Sequence, residues 1–213
     1  MLQLHYFPGN ASMAPHMLLE ELGVTYALKL VDRSVQAHKS PAYLKLNPNG
    51  LIPVLVDGNL VLYETAAICL HLADTHPAAN LAPPLGSIER AHFYKWLVWL
   101  TNTLQAALIL YFYPERWADD AAGAAQVKAH AEQKIAGMLD QVDAQLASHG
   151  QSWLLGAAYS AVDPYALMLG RWTRGFARPA RSLPHLGPYL QRMLQRAAVQ
   201  RVFEQEGLAA PLV

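Results

Sequence analysis

The sequence predicts a small mixed α/β unit followed by an all-helical one, and three observations carry that reading. Apolar residues alternate with period two in LQLHYF (2–7), YALKLV (26–31) and VLVDGNLVLY (54–63), the pattern of half-buried strands. A Pro- and Ala-rich stretch, THPAANLAPPLGS (75–87), then interrupts the chain. Beyond it no strand-like alternation of any length recurs, and apolar residues follow helical spacing instead.

The elements follow in order. LQLHYF is the first strand. SMAPHMLLEEL (12–22) has helical spacing and stops at Gly23, a natural C-cap. YALKLV is the second strand, and two strands joined by a helix form a βαβ unit with the strands parallel. SPAYLKLNPNG gives a short helical turn broken by Pro48 and Gly50. VLVDGNLVLY is a hairpin turning at Asp57-Gly58, and ETAAICLHLAD (64–74) is the next helix. The sheet is thus four-stranded and mixed. Residues 1–77 are expected to form the first unit, 78–87 a linker and 88–213 the helical unit. Helices are expected over about 88–113 (ending before Pro114), 119–148, 163–176 and 188–205.

Composition bounds the function. The chain has 213 residues, 53% hydrophobic and 15% charged, so it can bury real cores. Formal net charge is zero, which removes a global pull toward nucleic acid or an anionic membrane. The single cysteine, Cys69, permits no internal disulfide and suits a reducing compartment. The nine histidines show no H-x-x-x-H spacing, so no metal site is expected. MLQLHYFPGN lacks a basic n-region, and the densest apolar run, AALILYFY (106–113), is far shorter than the roughly 18 residues of a membrane span. A soluble, cytoplasmic protein is expected.

Three places can carry chemistry. In FPGNASMAPHMLLEELG (7–23), Asn10 and Ser12 stand where a polar turn feeds a helix N-terminus, an arrangement that can hold an anion or simply cap the helix. In NPNGLIPVL (47–55), Pro53 directly precedes a strand. A cis bond there would turn the N–H and C=O of Ile52 outward, to pair with a peptide-like ligand as an added strand; a plain loop end is the other reading. In YETAAI (63–68), Thr65 can cap the third helix, whose first N–H groups bind a carboxylate, and Glu64 can pair with an ammonium. Capping alone also accounts for that pair.

Taken together, the strand–polar turn–helix start, NPNGLIPVL, LYETAAICLHLAD, the Pro-rich linker and the helical remainder resemble the cytosolic glutathione transferase superfamily over the whole chain. SAVDPYAL (160–167) adds a Ser-x-x-Asp capping motif like that on the family's core helix, with Ser160 and Asp163 satisfying each other's backbone donors. The resemblance implies a thioredoxin-like first domain that holds glutathione. Ile52 would pair with the cysteinyl backbone, Glu64 and Thr65 would take the γ-glutamyl end, and His38 would reach the glycyl carboxylate. The first turn would stabilise the thiolate, since a free thiol with pKa about 8.5 is only a few per cent ionised near neutrality.

The spacing is closest to the bacterial beta class, PGxCS, but reads Pro8-Gly9-Asn10-Ala11-Ser12, so Ala11 stands where that class has cysteine. Ser12 ranks first as thiolate donor, Asn10 second, and Tyr6, which matches a catalytic tyrosine of some mammalian classes, third. Gln105 and Ala106 replace a His-Lys pair of the beta class. Trp99, Thr103, Tyr111, Phe112, Tyr113 and Trp117 could line an apolar second-substrate pocket or belong to core. The implied activity is conjugation of the glutathione thiolate to a small, mostly apolar electrophile held against the helical domain. It would need no cofactor beyond this co-substrate, in a homodimer. A glutathione-dependent disulfide reductase or isomerase, or a non-catalytic binding module, are the alternatives.

Overall fold

The computed structural model describes all 213 residues. By its contacts the chain divides into one unit of Met1–Ala82 with Met193–Ala210, and another of Pro83–Arg192 with Pro211–Val213. The sequence suggested a helical unit running uninterrupted to residue 213. Instead the penultimate stretch returns to the first unit.

In the first unit, strands β1 (Leu2–Tyr6), β2 (Tyr26–Leu30), β3 (Val54–Asp57) and β4 (Leu60–Tyr63) form a sheet of order β2-β1-β3-β4. β1 and β2 are parallel, with Leu2 opposite Tyr26 and Tyr6 opposite Leu30. β3 runs antiparallel to both neighbours, with Val54 opposite His5 on one side and Tyr63 on the other. The ends of β1, β2 and β4 therefore share one end of the sheet with the beginning of β3.

Helix α1 (Met13–Leu22) buries every residue from Met13 to Leu19. An ordinary amphipathic helix would leave one face wet. α1 does not, because α3 (Thr65–Thr75) and α9 (Ala197–Gln205) both pack on it. Ion pairs fasten α9: Arg196 grips Glu21 through two bonds of 2.5 and 2.7 Å, and Arg201 meets Glu20 at 2.5 Å. The short helix α2 (Pro41–Leu44) is capped by Ser40, whose hydroxyl accepts the Tyr43 N–H.

The second unit is helical. α4 (Ile88–Trp99) starts at Ser87, whose hydroxyl accepts the Arg90 N–H at 3.1 Å, and passes through a π-helical turn at 100–105 into α5 (Ala106–Phe112). α6 (Ala121–His149) is capped by Asp120 at one end and by Gly150, in the left-handed region, at the other. α7 (Val162–Trp172) is buried along nearly its whole length, and α8 (Leu186–Leu194) follows. No helix is long and apolar enough to cross a membrane.

Two helix boundaries differ from expectation. The helix expected over 163–176 ends at Trp172, because the Thr173 hydroxyl donates to the Gly170 C=O (2.7 Å) and accepts the Ala180 N–H (2.8 Å), turning the chain. The helix expected over 188–205 is two, α8 and α9, separated where Arg196 adopts extended backbone beside its Glu21 partner. The Ser160–Asp163 box is half formed. Asp163 accepts the Ser160 N–H at 2.8 Å, but its own N–H goes to the Ser160 C=O, not to the side chain. The Asp163 carboxylate instead gathers the Leu154 N–H (2.9 Å) and the Tyr189 hydroxyl (2.9 Å). It is wholly buried, and that burial outweighs the donors and pushes its pKa up to about 6.

Candidate functional site

The candidate residues converge at the shared end of the sheet through one small apolar cluster. Val31, Tyr43, Ile52 and Val54 form its buried centre, with Phe7, Ala37 and Tyr63 packed against it. These three each adjoin a candidate; Leu46 and Val56 complete the cluster. Phe7 begins the Pro8–Ser12 turn, Ala37 precedes His38, and Tyr63 precedes Glu64. Hydrophobic burial thus draws four separate segments together.

Ile52–Pro53 is cis. The β3 ladder starts only at Val54, so the N–H and C=O of Ile52 lie outside it. The preceding residue is clamped: the Leu51 C=O accepts from the Tyr43 hydroxyl and from Asn47 Nδ2, both at 2.9 Å. Asn47 is buried, and its Oδ1 also accepts the Asn49 N–H at 3.0 Å. Tyr43 and Asn47 were not singled out from sequence. The signal available was an Asn opening a Pro- and Gly-broken loop, the usual place for side chain-to-backbone bonding.

Gly50 brings that loop against the His38 segment. With φ near +60° it occupies the left-handed region, and a Cβ there would fall 2.9 Å from the His38 carbonyl oxygen, closer than real contacts permit. His38 sits between the Arg33 and Lys39 charges, and its Nδ1 is buried without a hydrogen-bond partner. Burial first, and then those two cations, holds its pKa below the ordinary value. Such a cluster suits a carboxylate.

Glu64 rather than Thr65 is the N-cap of α3; Thr65 is its first residue and is buried. Glu64 has φ 73° and ψ 114°, and its side chain makes no capping bond. A non-glycine residue held there stores about 1–3 kcal/mol of strain. The Ile68 N–H bonds the Glu64 C=O at 3.0 Å, so the N–H groups of Thr65, Ala66 and Ala67 precede the first intrahelical bond. An exposed carboxylate therefore stands beside a ready-made anion site.

In the Pro8–Ser12 turn the Ser12 side chain is turned inward. Ser12 is 0% exposed, its hydroxyl donates to the Phe7 C=O (3.2 Å) and accepts the Phe7 N–H (3.3 Å), and it makes no side-chain cap on α1. Its hydrogen is committed to holding the turn. Asn10 is half-buried, and its Oδ1 accepts the Ala11 N–H at 2.7 Å. That bond fixes the amide's orientation and leaves Nδ2 as the uncommitted donor. Tyr6, at the end of β1, lies edge-on to the His16 ring with centroids 6.1 Å apart. Cys69 is fully buried, and burial pushes its thiol pKa up, so it is no nucleophile.

In the helical unit the Thr101 and Tyr165 hydroxyls and Gln105 form a chain of hydrogen bonds at the π-helical turn. Phe112 and Trp117 are 43% and 50% exposed, so these two are not simple core. Trp117 lines a cavity of about 720 Å³ together with Leu110, Val127 and Lys134. No three His, Cys, Asp or Glu side chains gather closely enough to hold a metal ion.

One end of the sheet thus gathers the backbone of Ile52 outside the ladder, the His38 and Glu64 segments and the turn that carries Asn10. The chain matches the family models described as glutathione S-transferase, N-terminal domain, over residues 11–75, and glutathione S-transferase, C-terminal domain, over residues 99–197. It is 30% identical to glutathione S-transferase GST-4.5 of Xanthomonas campestris over 97% of this chain and all of that one. It is likewise 30% identical to glutathione S-transferase GstA of Escherichia coli O157:H7, over 97% of this chain and 100% of the relative. A sphingomonad glutathione S-transferase solved in complex with glutathione superposes with TM-score 0.84 at 32% identity, covering 97% of this chain and 100% of the other. A Sulfitobacter glutathione transferase homologue with bound glutathione gives 0.89 at 27% identity over 98% and 99%. The chain belongs to the glutathione S-transferase family.

Proposed function

We propose that this protein is a glutathione transferase that joins the glutathione sulfur to a small, mostly apolar electrophile. The observation that carries the reading is the gathering of four segments around Ile52, with the Asn10 amide donor uncommitted beside them. Glutathione is an extended tripeptide with a carboxylate at each end and a thiol in the middle. The backbone of Ile52 pairs with its cysteinyl residue as an added strand. The start of α3 takes the γ-glutamyl carboxylate while Glu64 meets the ammonium. His38, flanked by Arg33 and Lys39, takes the glycyl carboxylate.

With both ends held, the sulfur falls at the first turn. The thiol proton leaves to solvent and Asn10 Nδ2 donates to the resulting thiolate. The sulfur lone pair then forms the new C–S bond, and the leaving group or the electrophile's π-system accepts the displaced pair. Lowering the thiol pKa by about two units takes roughly 2.7 kcal/mol, the size of a charge-assisted hydrogen bond with help from a helix N-terminus. No cofactor beyond glutathione is involved. The reading includes a cytoplasmic setting and a two-fold dimer; Ile88, Tyr94 and Val98 leave apolar side chains of α4 uncovered for such an interface.

One observation favours a second activity. Branches of the family that reduce disulfides without a catalytic cysteine use Thr and Asn in this turn, and this chain has the Asn, Asn10, as the open donor. Calorimetry with millimolar glutathione, followed by turnover of a chloro-nitroaromatic and of hydroxyethyl disulfide, separates the readings. Binding with aromatic turnover supports the transferase. Binding with disulfide turnover alone supports the reductase, and absence of heat refutes both.

A further inference from the structure

The turn that carries Asn10 is held from the far end of the chain. Gly9, in the left-handed region at φ 70°, lies three residues beyond the end of β1, and its N–H needs an acceptor from outside the sheet. That acceptor is Glu206, the residue after α9, whose Oε2 takes the Gly9 N–H at 2.8 Å. Its other oxygen, Oε1, lies 2.8 Å from His16 Nδ1 on α1, and both side chains are 0% exposed. One buried carboxylate thus spans the first turn and the first helix.

The partners of His16 fix its role. Nε2 is 2.8 Å from Gln205 Oε1 and 3.0 Å from the Tyr26 hydroxyl. Gln205 Nε2 donates to Glu20 Oε1 at 3.0 Å, which orients the amide so that its oxygen faces His16. The Tyr26 hydroxyl donates to the same Glu20 oxygen at 2.5 Å, so toward His16 it too offers an acceptor. Arg201 in turn pairs with Glu20, and the Tyr6 ring covers His16 from β1. Each polar group that meets the imidazole, Glu206 on one side and Gln205 and Tyr26 on the other, offers it an oxygen, so the ring is held in one orientation between them.

We infer that Glu206, held in place by His16, is a positioning residue for thiol activation: it anchors Gly9 and so sets the direction of the neighbouring Asn10 amide. The inference rests on the glutathione reading above and deepens it. The test uses the full chain and its variants E206A and E206Q, checked for folding by circular dichroism. Glutathione affinity is measured by calorimetry, and the bound thiol is titrated by its ultraviolet thiolate absorbance. E206A is expected to bind glutathione within about threefold of the parent, because the contacts at Ile52, Glu64 and His38 remain. Its bound thiol should titrate about one unit higher, with kcat at neutral pH down about threefold. E206Q keeps a weaker, neutral acceptor for Gly9 and should shift by roughly half as much. If E206A does not fold, E206Q decides alone. Parent-like titration in every folded variant, with glutathione still bound, overturns this inference only. Failure of the parent protein to bind glutathione overturns the functional reading beneath it.

Discussion

Replacing Asn10 separates its two jobs. Its Oδ1 accepts the Ala11 N–H at 2.7 Å, a structural bond, while Nδ2 is the proposed thiolate donor. N10A removes both. N10D keeps an oxygen for Ala11 but removes the donor and adds a negative charge. A hydrogen bond to a charged group is worth about 1.5–3 kcal/mol, and one pKa unit corresponds to about 1.36 kcal/mol. The bound thiol should therefore titrate about 1–2 units higher in N10A, and at least as high in N10D. Rate reports this less faithfully. A more basic thiolate is a better nucleophile, with a Brønsted slope of about 0.4–0.5, so a ten- to hundredfold loss of thiolate shrinks to roughly a three- to tenfold loss of kcat. The assay is thus the pH titration of thiolate absorbance in the binary complex. Curves for N10A and N10D that superpose on the parent's, with a shift in S12A or Y6F instead, would refute the assignment.

Other consequences follow from the same geometry. E64G should release the strain of the positive φ, raising the denaturant midpoint by the equivalent of about 1 kcal/mol, while glutathione binding weakens for want of the carboxylate; weakened stability would contradict this. H38Q should raise the glutathione dissociation constant about five- to tenfold with little change in kcat. Because the His38 pKa lies below its ordinary value, the parent's affinity should rise as pH falls through that lowered pKa, and this rise should vanish in H38Q. Asp163 has a folded pKa pushed up to about 6, above its unfolded value near 3.9, so its ionisation favours the unfolded chain. Its contribution to stability is fully present below about pH 4 and is lost as pH rises to about 6. D163N should flatten that part of the stability curve, as read from denaturant midpoints, and an unchanged slope would count against it.

Where local chemistry decides structure, the sequence was a sound guide. Alternation marked the strands, and Asp57-Gly58 marked the hairpin between β3 and β4. A proline directly before β3 raised the cis bond at Ile52 as one of two readings, and the bond is cis. What stayed hidden is tertiary. Ser12 looked like an open donor because nothing local shows that Phe7 takes its hydroxyl and that α9 covers the outer side of α1. Glu64 and Thr65 were placed one position off, because a positive φ in a non-glycine residue leaves no mark on composition. The break between α8 and α9 carries neither Gly nor Pro, so the apolar periodicity runs through it. Glu206 lies 190 residues from His16 and 197 from Gly9, and only the return of α9 makes it part of the site.

The most direct test is a crystal structure of the protein with glutathione bound. The sulfur should lie within about 3.5 Å of Asn10 Nδ2, with the cysteinyl backbone paired to Ile52 and the glycyl carboxylate beside His38. A sulfur lying against Ser12 Oγ or the Tyr6 hydroxyl, or a tripeptide bound away from Ile52, would contradict the account.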